Sequence, residues 1–168
     1  KIQMHYILEA RNTLTGHEDS IFMGDISDKM RNGLKHSLPI STNFNLFKYI
    51  TATPAVNLNS YMYTKSLRRD FTRNEAGVYV LRVRTVERPV AGYDASFSTA
   101  FNTQVYFDYI FRKGNVKQVR HLMIPTLSYN YRPDFGQPDF GFYREVQADT
   151  TGRMLQYSIF ETGILGGP

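Results

Sequence analysis

The side chains that could carry out acid–base, nucleophilic or metal chemistry are scattered along this sequence. Its histidines, His5, His17, His36 and His121, lack the ligand spacing and the carboxylate-rich neighbours of a metal site. The chain contains no Cys, which excludes thiol catalysis, disulfides, zinc ribbons and iron–sulfur ligation. No phosphate-binding loop, dinucleotide fingerprint or Gly-x-Ser-x-Gly motif occurs. We therefore predict no catalytic residue, no metal and no cofactor, in a protein that is not an enzyme.

The elements that would position any functional residue are strands. Residues 93–111 alternate between an apolar, largely aromatic parity and a polar parity, which is the period of a β-strand. A typical globular strand has about 5–6 residues, so this segment is unusually long. No segment has convincing helical spacing, and we predict an all-β chain. The predicted strands lie near 2–10, 34–46, 50–65, 93–111, 116–131 and 153–162.

The connections between these strands alternate in length, as they do in an outer-membrane β-barrel. The turns at 47–49 and 112–115 are short, and we predict that both are periplasmic. The long loops, predicted to lie outside, are 11–33, 66–92 (with room for a small hairpin) and 132–152. We predict that residues 1–168 form part of one antiparallel transmembrane β-barrel, with about six strands of a larger barrel. The alternative is a soluble lipocalin-like barrel or a large sandwich, for which this chain length is also suitable.

The polar parity of the predicted strands suits a hydrated lumen. It consists mainly of Ser, Thr, Asn, Gln and Tyr, whereas a face in bulk water usually carries Lys and Glu. The residues predicted to face the lumen are Asn57, Asn59, Tyr61, Asp94, Asn102, Gln104 and Asp108.

The net charge of +5 indicates either an anionic binding partner or basic side chains that are simply solvated. Arginines crowd the predicted outside loop 66–92, and the arginine fork suits phosphate. Since the outer leaflet can present a phosphorylated glycolipid, we predict that Arg68, Arg69 and Arg73 contact lipopolysaccharide phosphates. The alternative is a solvated charged loop. Nucleic acid is not a predicted partner, because the aromatic side chains lie on the long strands, away from these arginines.

Three prolines, Pro39, Pro54 and Pro125, fall inside predicted strands. Each lacks the N–H that would donate to a neighbouring strand. A bulge or a weakened seam is one interpretation of each of them; the alternative, which we favour, is that they are ordinary prolines near strand ends.

The segment 119–133 resembles an Arg-His-x-x-x-Pro-x-x-x-Tyr motif in the barrel of the lipopolysaccharide-assembly protein LptD family. The residues that match the motif are Arg120, His121, Pro125 and Tyr129, and the resemblance gives them structural roles. Segments 32–41 and 44–63 and the long aromatic strand resemble the Bacteroidetes branch of that family. The resemblance covers roughly residues 2–165.

This resemblance implies a very large single-chain barrel in the outer membrane of a Gram-negative bacterium, which passes lipopolysaccharide from a periplasmic bridge to the outer leaflet. The implied partners are lipopolysaccharide, an LptE-like plug lipoprotein, periplasmic bridge proteins and outer-membrane lipids. The N-terminal periplasmic domain and the remaining strands would be absent from this chain, whose end at Gly166-Gly167-Pro168 is predicted to be a loop that is not tied down. The alternatives are a nutrient transporter, a protein-secretion pore and, less favoured, a soluble β-barrel binding module.

Overall fold

The computed structural model of the chain describes residues 1–16 and 26–168. His17 and the middle of the predicted loop 11–33 lie outside the described residues. The described chain is antiparallel and all-β, apart from one helical turn, α1 (Ile26–Lys29), and a 3-10 helix (Pro138–Phe140). No helix in this part of the chain has the length and apolar character needed to cross a membrane.

The strands differ in several places from the predicted segments. β2 and β3 both extend into the segment predicted as the loop 11–33, while residues 93–111 and residues 116–131 each form two strands instead of one. The strands of the described residues are β1 (Ile2–Met4), β2 (Ile7–Leu14), β3 (Met30–Thr42), β4 (Phe44–Leu46), β5 (Ile50–Tyr63), β6 (Ser66–Arg73), β7 (Tyr79–Val86), β8 (Val90–Thr103), β9 (Val105–Ile110), β10 (Gln118–Met123), β11 (Thr126–Tyr131), β12 (Tyr143–Gln147) and β13 (Met154–Ser158).

The chain divides into two compact units, and β3, β5 and β8 supply residues to both. The seven-stranded sheet has the order β1-β3-β5-β8-β11, with β2 paired to β3 and β4 paired to β5. Within residues 1–16 and 26–168 this sheet does not close into a barrel. The first unit comprises Lys1–His5, Pro39–Asn57 and Ala95–Arg132, and the second comprises Tyr6–Leu38, Leu58–Asp94 and Pro133–Pro168.

Proline interrupts the ladders of the first unit without changing their register. Met123 in β10 faces Val105 in β9, and Thr126 in β11 faces Asn102 in β8, so the pairing has the same register on both sides of Pro125. The interruption follows from the missing N–H of proline, and no extra residue is inserted as it would be in a bulge. Pro54 lies inside β5, which continues through it.

The short turn after β4 requires an unusual backbone conformation. Phe47 and Lys48 have φ values of 51° and 68°, and the amide of Tyr49 donates to the carbonyl of Leu46. Residues other than glycine seldom adopt positive φ, except in tight turns such as those of hairpins. Residues 47–49 therefore form a tight hairpin connection.

The second unit contains a small apolar core between two hairpins. Leu67 in β6 packs with Val146 in β12 and Tyr157 in β13, and the partly buried Phe71, Leu81 and Leu155 surround them. Burial of each such side chain contributes about 1.5–3 kcal/mol. The β6–β7 hairpin lies within the predicted outside loop 66–92.

The turn between β12 and β13 is organised by one carboxylate. Asp149 accepts hydrogen bonds from the amide and hydroxyl of Thr151, at 2.8 and 2.6 Å, and from the amide of Arg153 at 3.3 Å. The Thr151 hydroxyl is the main cause that lowers the pKa of Asp149, and the two amides and the Arg153 charge lower this pKa further.

The prediction that Gly166-Gly167-Pro168 is not tied down was wrong. The Tyr63 hydroxyl donates to the carbonyl of Gly166 at 2.6 Å, and the Tyr143 hydroxyl donates to the carbonyl of Pro168 at 3.2 Å. Glycine makes this packing possible, since a Cβ at Gly92 would lie 2.6 Å from the Phe160 ring. The contacts join residues far apart in sequence, and a loop-like composition gives no sign of them.

Candidate functional site

A hydrogen-bonded polar network crosses three strands of the second unit. The Ser37 hydroxyl in β3 donates to Asn59 Oδ1 in β5 at 2.8 Å, and Asn59 Nδ2 donates to Asp94 Oδ1 in β8 at 2.7 Å. The Tyr61 hydroxyl donates to the other carboxylate oxygen of Asp94 at 2.9 Å. We call these four residues the Asp94 network. It brings together three of the residues predicted to face the lumen and adds Ser37.

Burial makes the hydrogen bonds of the Asp94 network important. Asp94 is 7% exposed and Tyr61 is 5% exposed. A buried carboxylate is costly unless donors replace the water it has lost, and here each oxygen receives one. The Lys35 ammonium lies over the Tyr61 ring, 5.2 Å from its centroid, and adds positive charge on the same face. The network therefore holds β3, β5 and β8 together through buried hydrogen bonds, and it has no arrangement of a nucleophile and a base.

In the first unit, a second polar group lies on β9 and β10. Arg120 Nε and Nη2 donate to the two oxygens of Asp108 at 2.7 and 3.2 Å, a bidentate ion pair. The Tyr106 hydroxyl donates to Gln104 Oε1 at 2.8 Å, and the Arg120 guanidinium lies 5.7 Å from the Tyr106 ring centroid. The structure thus joins a predicted lumen residue, Asp108, to the first residue of the sequence motif. Asn102 faces Thr126 across the β8–β11 pair, and Asn57 lies half-buried on β5.

Two other motif residues, His121 on β10 and Tyr129 on β11, contact aromatic rings on the neighbouring strands. His121 faces Phe107 in the register, with ring centroids 6.3 Å apart. Tyr129 lies 6.5 Å from Phe97, again between ring centroids. Residues directly opposite each other in an antiparallel pair share a face. The motif therefore supplies one charge partner for the polar face and two rings for the aromatic face.

The three arginines predicted to contact phosphate differ in the hydrogen bonds and ion pairs that they already make within the chain. Arg69 Nη2 donates to the two oxygens of Glu161 at 2.6 and 2.7 Å, and the Arg69 side chain is only 18% exposed. Arg68 donates to Asp70 at 3.0 Å, while Arg73 Nε donates to the carbonyl of Gly77 at 2.5 Å. Arg69 therefore links β6 to the segment after β13, and its guanidinium is less available than those of Arg68 and Arg73.

Asp70 is the acidic centre of the exposed face of the β6–β7 hairpin. Its carboxylate accepts from Arg68 at 3.0 Å and pairs with Arg84 at 2.7 Å. Burial by itself would raise the pKa of Asp70, but the hydrogen bonds and charges of the two arginines outweigh it, and the pKa is lowered. Arg68 and Arg84 face each other directly in the register, so this carboxylate offsets their repulsion.

Sequence reasoning missed some members of these groups for different reasons. Ser37 and Lys35 belong to the polar parity of β3, so the pattern that predicted Asn59 could have found them. Glu161 pairs with Arg69 across a separation that no local pattern records. Among the described residues, no group of three or more His, Asp or Glu side chains is arranged to hold a metal.

The fold and the polar groups define the class of the protein: an all-β antiparallel chain whose sheet carries a polar, internally hydrogen-bonded face. A family model described as LptD protein matches residues 1–168. The chain belongs to the LptD family, and the predicted membership is confirmed. No curated protein and no solved structure matches the chain.

Family membership connects the chain with lipopolysaccharide transport and assembly. LptD proteins are outer-membrane proteins of Gram-negative bacteria that act in transport and assembly and are not known as enzymes. The assignment to the Bacteroidetes branch stays a prediction.

Proposed function

We propose that this chain forms part of the wall of an outer-membrane translocon that inserts lipopolysaccharide into the outer leaflet. The observation that carries the proposal is the family match over residues 1–168. The Asp94 network supports it, because it fixes a polar face across three strands of the sheet, and a polar face suits a hydrated sugar head group. Such a wall needs no covalent chemistry.

The second support is the large amount of uncovered apolar surface. On the β9–β10 pair, Phe107, Tyr109, Val119 and Met123 are all exposed, and they share one face in the register. Exposing each such side chain to water gives up about 1.5–3 kcal/mol of burial energy, and contiguous apolar patches of this kind usually have a partner. A bilayer would recover that energy. We propose that this face contacts lipid, as in an outer-membrane barrel.

The topology we propose follows from the connections. The short turns at 47–49 and 112–115 would face the periplasm, and the loops 11–33, 66–92 and 132–152 would lie outside. In this arrangement Asn57, Asn102 and the Asp94 network face the lumen. The proposed partners, from family membership, are lipopolysaccharide, an LptE-like plug lipoprotein, the periplasmic bridge proteins and the surrounding lipids.

The test is depletion of the full-length gene product, followed by measurement of newly made lipopolysaccharide at the cell surface. An unrelated outer-membrane barrel serves as the control for general assembly defects. We expect surface lipopolysaccharide to fall while the control barrel still assembles. If surface lipopolysaccharide is unchanged after full depletion, the proposed cargo is wrong, and uptake or secretion assays on the same strain would then identify a transporter or a secretion pore.

A further inference from the structure

A cavity in the second unit is lined by three arginines. It has a volume of about 220 Å³ and lies where β6 begins, where β7 ends and beside β12. Its basic walls are Arg68, Arg88 and Arg144, which come from three separate parts of the sequence. The remaining lining residues are Ser66, Leu67, Val86, Pro89, Val90 and Ile159.

The charge of this cavity is largely uncompensated. No Asp or Glu is among the residues that line it. Within residues 1–16 and 26–168, no carboxylate forms a salt bridge with Arg88 or Arg144, and the nearby Glu87 pairs with Lys65 instead. Only Arg68 has an acidic partner, Asp70, which does not line the cavity and which also pairs with Arg84. A concave space lined by three arginines and by no acidic residue favours an anion.

The volume and the apolar lining of the cavity indicate which class of anion it can bind. Arginine forks bind phosphate oxygens through paired hydrogen bonds. Leu67, Val86 and Ile159 also line the cavity, and apolar surface of this kind can pack against the carbon face of a sugar ring. A volume of this order exceeds that of a lone phosphate and accommodates a phosphorylated monosaccharide.

We propose that Arg68, Arg88 and Arg144 form a binding site for a sugar-linked phosphate monoester. This inference rests on the proposed function for the source of the ligand, which would be the phosphorylated sugar of lipopolysaccharide. It differs from the prediction made from the sequence, because the site combines Arg68 with Arg88 and Arg144 and excludes Arg69, which Glu161 already holds.

The test is calorimetric titration of the full-length protein in detergent with glucose 6-phosphate, and with glucose as the phosphate-free control. We expect saturable binding of glucose 6-phosphate that weakens as ionic strength rises, and no binding of glucose. Arg88→Gln and Arg144→Gln should each weaken binding about tenfold or more, since each removes charge-assisted hydrogen bonds. Equal binding of both sugars would overturn the proposal.

The matched control is Arg82→Gln. Arg82 is exposed on the same face of the β6–β7 hairpin as Arg68, but it does not line the cavity. The substitution removes one positive charge, as Arg88→Gln and Arg144→Gln do, and we expect it to leave the affinity for glucose 6-phosphate unchanged. If Arg82→Gln weakens binding as much as Arg144→Gln, the effect is general electrostatics and the site is wrong. Arg144→Lys separates charge from geometry: it should recover only part of the affinity, because lysine lacks the fork.

Competition then identifies the source of the phosphate. If lipopolysaccharide displaces glucose 6-phosphate and phosphatase-treated lipopolysaccharide does not, both the site and its lipid source are supported. If glucose 6-phosphate binds and lipopolysaccharide fails to compete, the site stands and its lipid source is overturned. Because binding is measured directly, these results do not depend on the depletion experiment, and the failure of one proposal can be told from the failure of the other.

Discussion

Replacement of Asp94 tests whether the Asp94 network is the structural centre of the polar face. In Asp94→Ala, Asn59 Nδ2 and the Tyr61 hydroxyl each lose a carboxylate acceptor. Hydrogen bonds to a charged group are worth about 1.5–3 kcal/mol each, and a buried donor left without a partner costs about 1–3 kcal/mol. Since Tyr61 is buried and Asn59 only partly buried, we expect a loss of about 3 kcal/mol in the free energy of unfolding.

A double-mutant cycle isolates the contribution of the Tyr61–Asp94 bond. Tyr61→Phe keeps the ring and removes only the hydroxyl, and we expect it to cost about 2 kcal/mol. The two single changes share one hydrogen bond, so the double variant should be more stable than their sum predicts, by a coupling of about 1–2 kcal/mol. The assay is guanidinium unfolding of the full-length protein in detergent, with the electrophoretic mobility shift of the folded form as the readout.

The control for this prediction is a residue of β5, the strand that carries Asn59 and Tyr61. Asn57 is a polar residue of β5 with the parity of Asn59, but it is not part of the Asp94 network. Asn57→Ala should change stability by less than about 0.5 kcal/mol. If Asp94→Ala costs no more than Asn57→Ala, or if the coupling is within error of zero, the network does not stabilise the face as we argue.

Three further predictions concern other contacts of the second unit. Arg69→Gln should release the segment after β13 by removing the ion pair to Glu161, with a cost of about 1 kcal/mol because Glu161 is partly exposed; faster amide exchange after β13 would support this, and unchanged exchange would contradict it. Gly92→Ala should destabilise the same segment by about 1–3 kcal/mol, since the new Cβ would lie 2.6 Å from the Phe160 ring; an unchanged unfolding midpoint would show that the ring moves freely. The lowered pKa of Asp149 means that its contribution is complete above the ordinary value of 3.8 and is lost as pH falls through the lower, folded-state pKa. Protease cleavage of the β12–β13 turn should therefore rise only below pH 3.8, and Asp149→Asn should be cleaved equally across that range.

The alternation of residue types predicted the strands and their faces where the pattern is long and local. The polar parities of residues 50–65 and 93–111 placed Asn59 and Asp94 on polar faces, and in the structure a hydrogen bond joins them. The sequence alone could not distinguish a bulge at Pro125 from a simple gap in the hydrogen-bond ladder, because the difference depends on how many residues the partner strand places opposite it. The unchanged register across Pro125 decides in favour of the gap.

Contacts between distant segments were the part that could not be predicted. No sequence pattern marks Glu161 or Arg144. Glu161 nevertheless pairs with Arg69, and Arg144 lines the cavity that it shares with Arg68 and Arg88, which we call the arginine cavity. The predicted group of Arg68, Arg69 and Arg73 followed proximity along the chain. Neighbouring residues on a strand point to opposite faces, so Arg68 and Arg69 have different surroundings: Arg68 lies on the exposed face with Arg84, and Arg69 points towards Tyr157.

The two kinds of polar site differ in a way that suits the proposed transport. In the Asp94 network, every carboxylate oxygen already has a donor, so a passing sugar can gain little by displacing those bonds. In the arginine cavity, Arg88 and Arg144 lack acidic partners among the described residues, so a phosphate gains charge-assisted hydrogen bonds without displacing any. A conducting wall must bind its cargo weakly enough to release it. The satisfied network therefore fits the path along the wall, and the unsatisfied cavity fits a place where the cargo pauses.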